Sequence, residues 1–332
     1  MIYDFSVKNQ IKIGVIGAGY WGLNLVRNFS KIGVLKSVSD LEKKRKKEVV
    51  KISKNIHFTT NYKDILDDEA IIAVVIATPA KTHFKFAKEV IKSKKHIFVE
   101  KPLCLNYKDG KNLLELANKA NKKIMVGHLM LYHPAYIKMK EKINEGLIGK
   151  IRYIYSNRLS LGKLRKEEDV LWSFAPHDIS MILDLVKEKL LKVDSFGASY
   201  LKKKIKDTTV TFLKFSNNIK AHIFVSWLHP YKDQRIIVIG EKGMLVFADV
   251  LENKNKLQFF NHNIGWKGSF PEISKAKGKS ISFNYSVEPL YAECKAFVNW
   301  LTIDKTVPSD AEEGLRVLKV LEDAKNKLKE NK

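Results

Sequence analysis

The stretch Ile11-Lys12-Ile13-Gly14-Val15-Ile16-Gly17-Ala18-Gly19-Tyr20-Trp21-Gly22 decides the fold of the first half of the chain. An apolar strand pattern over residues 11–16 is followed by G-x-G-x-x-G at the start of a predicted helix. Gly17 permits a tight turn, Gly19 lets a ligand approach the backbone, and Gly22 lets the helix pack on the strand. Free N–H groups at the helix start favour a phosphate. The stretch therefore predicts a Rossmann domain that binds a dinucleotide.

The acidic residue that follows the second predicted strand indicates which dinucleotide is bound. Asp40 lies 18 residues beyond Gly22 and can accept both adenosine ribose hydroxyls, and its charge would repel a 2′-phosphate. We therefore expect NAD rather than NADP as the cofactor. Because the basic residues Lys43, Lys44 and Arg45 lie nearby, NADP stays an alternative. Within the turn, the other candidate cofactor contacts are Tyr20 and Trp21.

The first 125 residues alternate short apolar runs with amphipathic stretches, which is typical of a parallel α/β sheet. The run 70–78 is continuously apolar, as expected for a central strand buried on both faces. Strands are predicted at 11–16, 35–39, 56–58, 70–78, 96–99 and 124–127. Helices are predicted from Tyr20, over 42–54 and 82–93, and to Asn121 behind a cap at Asn106.

The second half has a different pattern, with helices first and then consecutive strands. We predict helices at 134–146 and from about Pro176 to 186, and strands at 150–159, 193–201, 208–215, 219–227, 235–239 and 244–250. Hairpin turns are predicted at 217–218 and 240–243. Two helices end the chain, the second with the capping-box spacing of Ser309 and Glu312.

These patterns predict a Rossmann domain over residues 1–125 and an α+β domain over 126–332 with an open, mostly antiparallel sheet. The second domain is expected to bind substrate and to mediate oligomerisation, and the C-terminal helices could pack back on the first domain. Residues 1–10 are interpreted as a short leader without the basic start and apolar middle of a signal peptide.

Composition excludes several classes of protein. The net charge is +24, but 53 of the 60 basic residues are lysines spread along the chain, and no nucleic-acid-binding motif occurs. We therefore expect no nucleic-acid partner. No apolar run is long enough for a membrane span. Two cysteines, Cys104 and Cys294, form neither a disulfide framework nor a metal cluster by themselves, so we expect a cytoplasmic protein without a metal.

Two further motifs follow the buried strands of the predicted sheet. Thr78-Pro79, with His83 shortly after, ends one strand on the side where α/β sheets bind ligands, and Glu100-Lys101-Pro102 ends the next. The Lys101 ammonium could hydrogen-bond a substrate hydroxyl and favour its deprotonation. The alternative is an ordinary surface lysine, in a chain that has many.

Together, the glycine turn, Thr78-Pro79 with His83, and Glu100-Lys101-Pro102 resemble the Gfo/Idh/MocA oxidoreductase family over nearly the whole chain. The resemblance implies that Lys101 lies at the junction of nicotinamide and substrate, usually before a cis-proline, and that Thr78, Pro79, His83 and Glu100 belong to the cofactor site. It also implies that a histidine at a helix start in the second domain is the general base. That position matches His177.

His177 also suits this role on chemical grounds. An imidazole titrates near pH ~6.5, so it can take and return a proton near neutrality. At a helix start, the dipole would disfavour its charged form. The alternative is a core or capping histidine. Many family members carry an aspartate four residues earlier, where this chain has Ser173, and Asp178 is expected to stabilise the helix N-terminus instead.

The segment Ser156-Asn157-Arg158-Leu159-Ser160-Leu161-Gly162, together with the residues around His177, resembles the branch that acts on nucleotide-linked amino sugars. The implied reaction is oxidation of the sugar C3 hydroxyl for surface-polysaccharide synthesis. Arg158 could pair with a diphosphate or carboxylate, or be a sheet-surface arginine. Tyr132 could contact the sugar or the core.

The sequence thus predicts an NAD-dependent dehydrogenase of a UDP-linked N-acetylhexosamine or its uronate, with Lys101 and His177 as catalytic residues. Two alternatives stay open. One is a dehydrogenase of a free polyol or sugar, such as an inositol. The other is a non-catalytic regulator that senses the cofactor, which the missing aspartate mildly favours.

Overall fold

A computed structural model describes residues 11–161, 164 and 168–330. The proposed leader 1–10 and Gly162 lie outside these residues. The chain divides into two compact units, the first comprising residues 1–129 and 288–319 and the second 130–287 and 320–332. Within the described residues, every helix is too short or too polar to cross a bilayer.

The described helices and strands follow in chain order. The helices are α1 Tyr20–Ile32, α2 Lys46–Ile52, α3 Lys63–Asp67, α4 His83–Lys92, α5 Tyr107–Lys119, α6 Pro134–Asn144, α7 Val170–Leu185, α8 Pro289–Ile303 and α9 Ala311–Glu330. The strands are β1 Lys12–Ile16, β2 Leu35–Ser39, β3 His57–Thr59, β4 Ile71–Ile76, β5 His96–Glu100, β6 Ile124–Gly127, β7 Ile151–Leu159, β8 Leu190–Ala198, β9 Thr208–Phe215, β10 Lys220–Ser226, β11 Asp233–Gly240, β12 Met244–Ala248, β13 Leu257–Phe260, β14 Asn263–Lys267, β15 Phe270–Ser274 and β16 Lys279–Ser280.

The first unit contains the predicted parallel sheet. Its six strands have the order β3-β2-β1-β4-β5-β6, and every pair is parallel. The chain moves outward from β1 on one side and continues from β4 on the other, so the strand order reverses between β1 and β4. Ligands of open α/β sheets bind at the carboxyl ends of the strands at such a reversal. The glycine turn leaves the sheet at this point.

Two details of this unit differ from the prediction. The stretch 42–54 contains a 3₁₀ turn, Lys43–Arg45, before the short helix α2, because its charged residues offer few apolar positions to pack. Helix α3 was not predicted. It has only five residues and buries Ile65 and Leu66, too few turns to show a period in the sequence.

The second unit is built on an eight-stranded sheet with the order β16-β13-β12-β11-β7-β10-β9-β8. Strands β7 and β10 are parallel, and the other neighbours are antiparallel, which confirms the mostly antiparallel prediction. Asn217 and Asn218 adopt positive φ angles of 54° and 59° in the predicted turn before β10. Helix α7 packs against β10 and β7 and buries nearly its whole surface.

The start of α7 corrects the prediction. The helix begins at Val170, behind an Asp169 side chain that accepts the N–H of Trp172 at 3.1 Å, and Pro176 lies inside it. A proline is favoured in the first helical turn, which is why the sequence suggested a start there. His177 is therefore the eighth residue of the helix, and the argument from the dipole at a helix start does not apply to it.

The cap of the last helix is also corrected. The Asp310 side chain accepts the Glu313 N–H at 2.9 Å, so Asp310 occupies the capping position that the sequence suggested for Ser309. The Ser309 carbonyl accepts the Val126 N–H at 2.8 Å and thereby joins this segment to the edge of the first sheet.

Candidate active site

The glycine turn has the tight geometry that its sequence predicts. Gly17 has a φ angle of 100°, and a Cβ added there would lie 2.6 Å from the Ala77 carbonyl oxygen. A Cβ at Gly22 would lie 2.2 Å from the Gly17 carbonyl oxygen. Both positions are therefore closed to other residues by the protein's own packing.

Gly19 differs from these two glycines because nothing lies within 4 Å of an added Cβ. It precedes α1 without any side-chain cap, so the first N–H groups of a 13-residue helix face an open cradle. The protein does not need glycine here for its own packing, whereas a phosphate resting against the backbone does. The residues present thus fit a dinucleotide.

Asp40 lies beside the turn, directly after β2. Its carboxylate accepts the Ala18 N–H at 2.7 Å and the Glu42 N–H at 2.9 Å, which fixes its position. Arg45 is one of the basic residues that leave NADP as an alternative, and it forms ion pairs with Glu48 at 2.9 Å and with Glu42 at 3.3 Å. Lys44 also lies 3.3 Å from Glu42.

His83 joins the two motifs that follow β4 and β5. Its ring is buried, with Nδ1 2.8 Å from the Pro102 carbonyl oxygen and Nε2 2.8 Å from the Thr78 carbonyl oxygen. Thr78 is further held by its hydroxyl, 2.7 Å from that of Thr82. The geometry indicates that His83 positions both turns from within the unit, a role the sequence did not reveal.

Glu100 is the last residue of β5, Lys101 follows it, and the Lys101–Pro102 peptide is cis. The indole N–H of Trp21, from the glycine turn, donates to the Glu100 carboxylate at 2.5 Å. Burial raises the pKa of Glu100 to about 7, although the Trp21 hydrogen bond and the positive charge of Lys101 oppose this shift. The first unit thus brings the glycine turn, Asp40, Thr78 and the end of β5 to one edge of its sheet.

His177 belongs to the second unit, on α7. All residues of this helix are buried except Phe174 and His177, which are three positions apart and so share one face. Ser173, one turn before His177, is 5% exposed. His177 is therefore partly exposed on an otherwise buried helix, with its Nδ1 atom buried.

Arg158 and Asp178 form a buried pair that corrects the expectation for Asp178. Arg158 Nε lies 2.7 Å from Asp178 Oδ2, and the side chains are 8% and 1% exposed. Ser156 also donates its hydroxyl to Asp178 at 2.5 Å. Asp178 does not stabilise a helix start, because it lies deep within α7. The Nε and Nη2 atoms of Arg158 bind a carboxylate of its own unit, and its contact with substrate stays a prediction. Tyr132 is 5% exposed, which favours its core alternative.

Comparisons with known proteins identify the family of the chain. The oxidoreductase family with an NAD-binding Rossmann fold matches residues 11–128, and the GFO/IDH/MocA C-terminal domain matches residues 136–246. These matches cover more than half of the chain. The fold and the glycine turn thus define a dinucleotide-binding oxidoreductase. The chain belongs to the Gfo/Idh/MocA family, whose cofactor is NAD.

Several relatives extend over most of the chain. An uncharacterised oxidoreductase of Bacillus subtilis, YrbE, is 30% identical over 70% of this chain and 72% of its own length. Myo-inositol 2-dehydrogenase of Thermotoga maritima is 29% identical, covering 72% and 75%. UDP-N-acetylglucosamine 3-dehydrogenase of Acidithiobacillus ferrooxidans is 25% identical, covering 93% and 94%. A structure of the last protein superposes with a TM-score of 0.83 at 22% identity, over 96% of this chain and 98% of that one, which shows the shared fold.

The choice of cofactor can be tested at Asp40. Asp40→Asn keeps the size of the side chain and one of its two bonds to backbone N–H groups but removes the charge, so we expect the preference for NAD over NADP to fall about tenfold, equivalent to ~1.4 kcal/mol. Calorimetric titration of both cofactors into each protein measures the ratio. Glu115→Gln is the control, because it removes an exposed negative charge on α5 and leaves the ion pairs of Arg45 intact. NADP binding as tight as NAD binding in the unaltered protein would overturn the role of Asp40.

Proposed function

We propose that the protein is an NAD-dependent dehydrogenase that oxidises the C3 hydroxyl of a UDP-linked N-acetylhexosamine or its uronate. The observation that supports this substrate is the similarity to UDP-N-acetylglucosamine 3-dehydrogenase, which extends through both units over 93% of this chain. A role in polysaccharide precursor synthesis in the cytoplasm belongs to the same proposal.

In the proposed mechanism, His177 accepts the proton of the sugar hydroxyl. The Lys101 ammonium donates a hydrogen bond to the oxygen as negative charge develops on it, which favours loss of the proton. Bound NAD supplies the acceptor for the hydride. The carbon thereby loses a hydride and the oxygen a proton, which leaves a ketone. Trp21, Glu100 and His83 hold the turns from which Lys101 and the glycine motif act.

A second candidate is oxidation of a free polyol. It is favoured by the 29% identity to myo-inositol 2-dehydrogenase, higher than to the nucleotide-sugar enzyme but over a smaller part of the chain. A cofactor-binding regulator without turnover is the third reading.

One experiment separates the three. The protein is mixed with NAD and, in turn, UDP-N-acetylglucosamine, its uronate and myo-inositol, and formation of reduced nicotinamide is followed by absorbance. Mass spectrometry then tests for loss of two hydrogens from the sugar, and NMR locates the ketone. Turnover of inositol alone would replace the proposal by the second candidate. No turnover with tight NAD binding would favour the regulator.

We further propose that the protein forms a homo-oligomer through the outer face of the eight-stranded sheet. Helix α7 covers the other face, and the outer one carries Phe196 and Phe212, which are 54% and 45% exposed. His222 stacks on Tyr155 at 5.4 Å and contacts Phe212 at 5.8 Å on the same face. Exposed apolar patches of this kind mark interfaces.

The proposed interface predicts that Phe212→Glu yields monomers or raises the dissociation constant at least tenfold, because a carboxylate would be desolvated there. Light scattering with size-exclusion chromatography measures the mass. Tyr231→Glu, an exposed aromatic residue outside the strands, is the matched control. An unaltered protein that is already monomeric at micromolar concentration would remove the proposal.

A further inference from the structure

Strands β14 and β15 form a hairpin that is separate from the eight-stranded sheet of the second unit. In the chain, the β14–β15 hairpin lies between β13 and β16, which pair with each other at the edge of that sheet. Within the described residues, β14 and β15 pack mainly on each other. An isolated two-stranded hairpin is only marginally stable in water, because it buries little apolar surface. This hairpin is therefore an element that gains stability from a partner.

The base of the β14–β15 hairpin is joined to the edge of the sheet. The Ala276 N–H donates to His262 Nδ1 at 3.0 Å, and the His262 ring stacks on Phe260 of β13 with the ring centroids 5.5 Å apart. A Cβ at Gly278 would lie 2.7 Å from the Phe260 ring, so this close approach requires glycine. The base thus has a fixed position, whereas the tip, residues 266–270, is exposed throughout.

The exposed tip carries two aromatic side chains. Trp266 and Phe270 are 73% and 77% exposed, and Ile273 of β15 is 60% exposed. Trp266 pairs with Pro271 and Phe270 pairs with Lys267, so the two aromatic residues project from opposite faces of the hairpin. Proteins rarely leave several large apolar side chains together in water unless they form a binding surface. A flat protein surface would cover one face only, whereas end-on insertion of the tip buries both rings.

The charges around the tip indicate the kind of partner. Glu272 is the only acidic residue between positions 261 and 281, where the basic residues are Lys267, Lys275, Lys277 and Lys279, all exposed. Lysine is depleted in protein interfaces, and a second copy of the chain also has a net charge of +24, which opposes close approach of two copies here. Lysines beside tryptophan are typical of segments at a membrane surface, where anionic headgroups attract the ammonium groups and the indole lies at headgroup level.

We propose that the β14–β15 hairpin binds the surface of a bilayer rich in anionic lipids. Trp266 and Phe270 enter the headgroup region from the tip, and the four lysines pair with lipid phosphates. The partner is a bilayer and not a free phosphate, because a free phosphate would leave both aromatic rings in water. Membrane binding by the hairpin is independent of the substrate proposed above.

Sedimentation of the full-length protein with vesicles tests the proposal. One set of vesicles contains phosphatidylglycerol in phosphatidylcholine, and the other contains phosphatidylcholine alone. We expect binding to the anionic vesicles that weakens as salt screens the lysines, and little binding to phosphatidylcholine. Absence of binding to the anionic vesicles at low salt would overturn the proposal.

A double variant of the tip tests the aromatic contribution. Trp266→Ser with Phe270→Ser should lower the partition coefficient for anionic vesicles by at least about tenfold, because burial of even one large apolar side chain contributes that much. Tyr231→Ser, which removes an exposed aromatic residue outside the strands, is the matched control and should bind as the unaltered protein does. If the tip variant instead binds vesicles normally and has a lower mass in light scattering, the hairpin contacts a second copy and the proposal is wrong.

A charge-matched pair of variants separates the hairpin from the general positive charge of the chain. Lys275→Gln with Lys277→Gln should lower binding to anionic vesicles by about tenfold, since each lysine at the surface contributes to it. Lys47→Gln with Lys51→Gln removes two exposed lysines of α2 and should have a much smaller effect. Equal losses in the two double variants would show that diffuse attraction by the net charge explains the binding, which would overturn the role of the hairpin.

Fluorescence locates the inserted side chain. The chain has five tryptophans, and vesicles with brominated acyl chains quench those that enter the bilayer. Trp266→Phe keeps an aromatic ring at the tip, so we expect it to retain most of the binding and to lose most of the quenching. Quenching that persists unchanged in Trp266→Phe would place a different tryptophan in the bilayer and exclude the tip as the inserted segment.

Discussion

Lys101→Met is expected to lower turnover by roughly 10²–10³ while leaving NAD affinity within about twofold, since the range for such an electrostatic contribution is ~2.7–4 kcal/mol. The ammonium is proposed to act on the substrate oxygen, whereas the glycine turn and Asp40 hold the other end of the cofactor. Methionine keeps the length and apolar stem of lysine, so β5 and the Trp21–Glu100 bond are preserved.

Steady-state kinetics on the identified substrate measures the loss, and titration with NAD measures the affinity. Lys92→Met is the matched control, because Lys92 is an exposed lysine at the end of α4. Turnover of Lys101→Met close to that of the unaltered protein would make Lys101 an ordinary surface lysine. A loss of NAD affinity equal to the loss of turnover would move its role from the substrate to the cofactor.

The first unit could be predicted in detail because each of its signals is local. The bounds of β2 at 35–39 and of β6 at 124–127 are the same in prediction and structure. The continuous apolar run in β4 identifies a strand that is buried on both faces. A glycine turn between a strand and a helix leaves few alternatives for the chain.

The errors arise where a residue's partner is distant in sequence. Arg158 and Asp178 are 20 residues apart, and only the packing of α7 on β7 makes them a pair. Tertiary packing decides such cases, and a local pattern does not contain that information.

Helix α7 shows a different source of error. Pro176 is a strong local signal for a helix start, but Asp169 provides the cap that actually begins the helix. All the residues between them except Phe174 are buried, so they show no amphipathic period that would have revealed the earlier start. Because His177 lies well inside α7, the dipole at the helix start does not act on it. Its proposed role as general base therefore rests on the family resemblance and on its partly exposed position.

His177→Ala is expected to reduce turnover by roughly 10²–10⁴, the range for loss of a general base. In the unaltered protein, oxidation should increase with pH as the imidazole loses its proton, and this limb of the pH profile should vanish in the variant. Phe174→Ala, which alters the other accessible position of α7, should lower activity through packing but keep the limb. A pH limb that persists in His177→Ala would exclude the histidine as the base.

Ser173→Asp extends the same test, because it places a carboxylate one helical turn before His177, where many family members have one. A nearby negative charge favours the protonated imidazole, so the rising limb should move to higher pH. Ser173→Asn has a similar size without the charge and should leave the limb where it is. A shift in Ser173→Asp alone would identify His177 as the group that titrates, since the carboxylate acts on it through charge. The same shift in both variants would instead trace the effect to the packing of this buried position and not to the charge of the carboxylate.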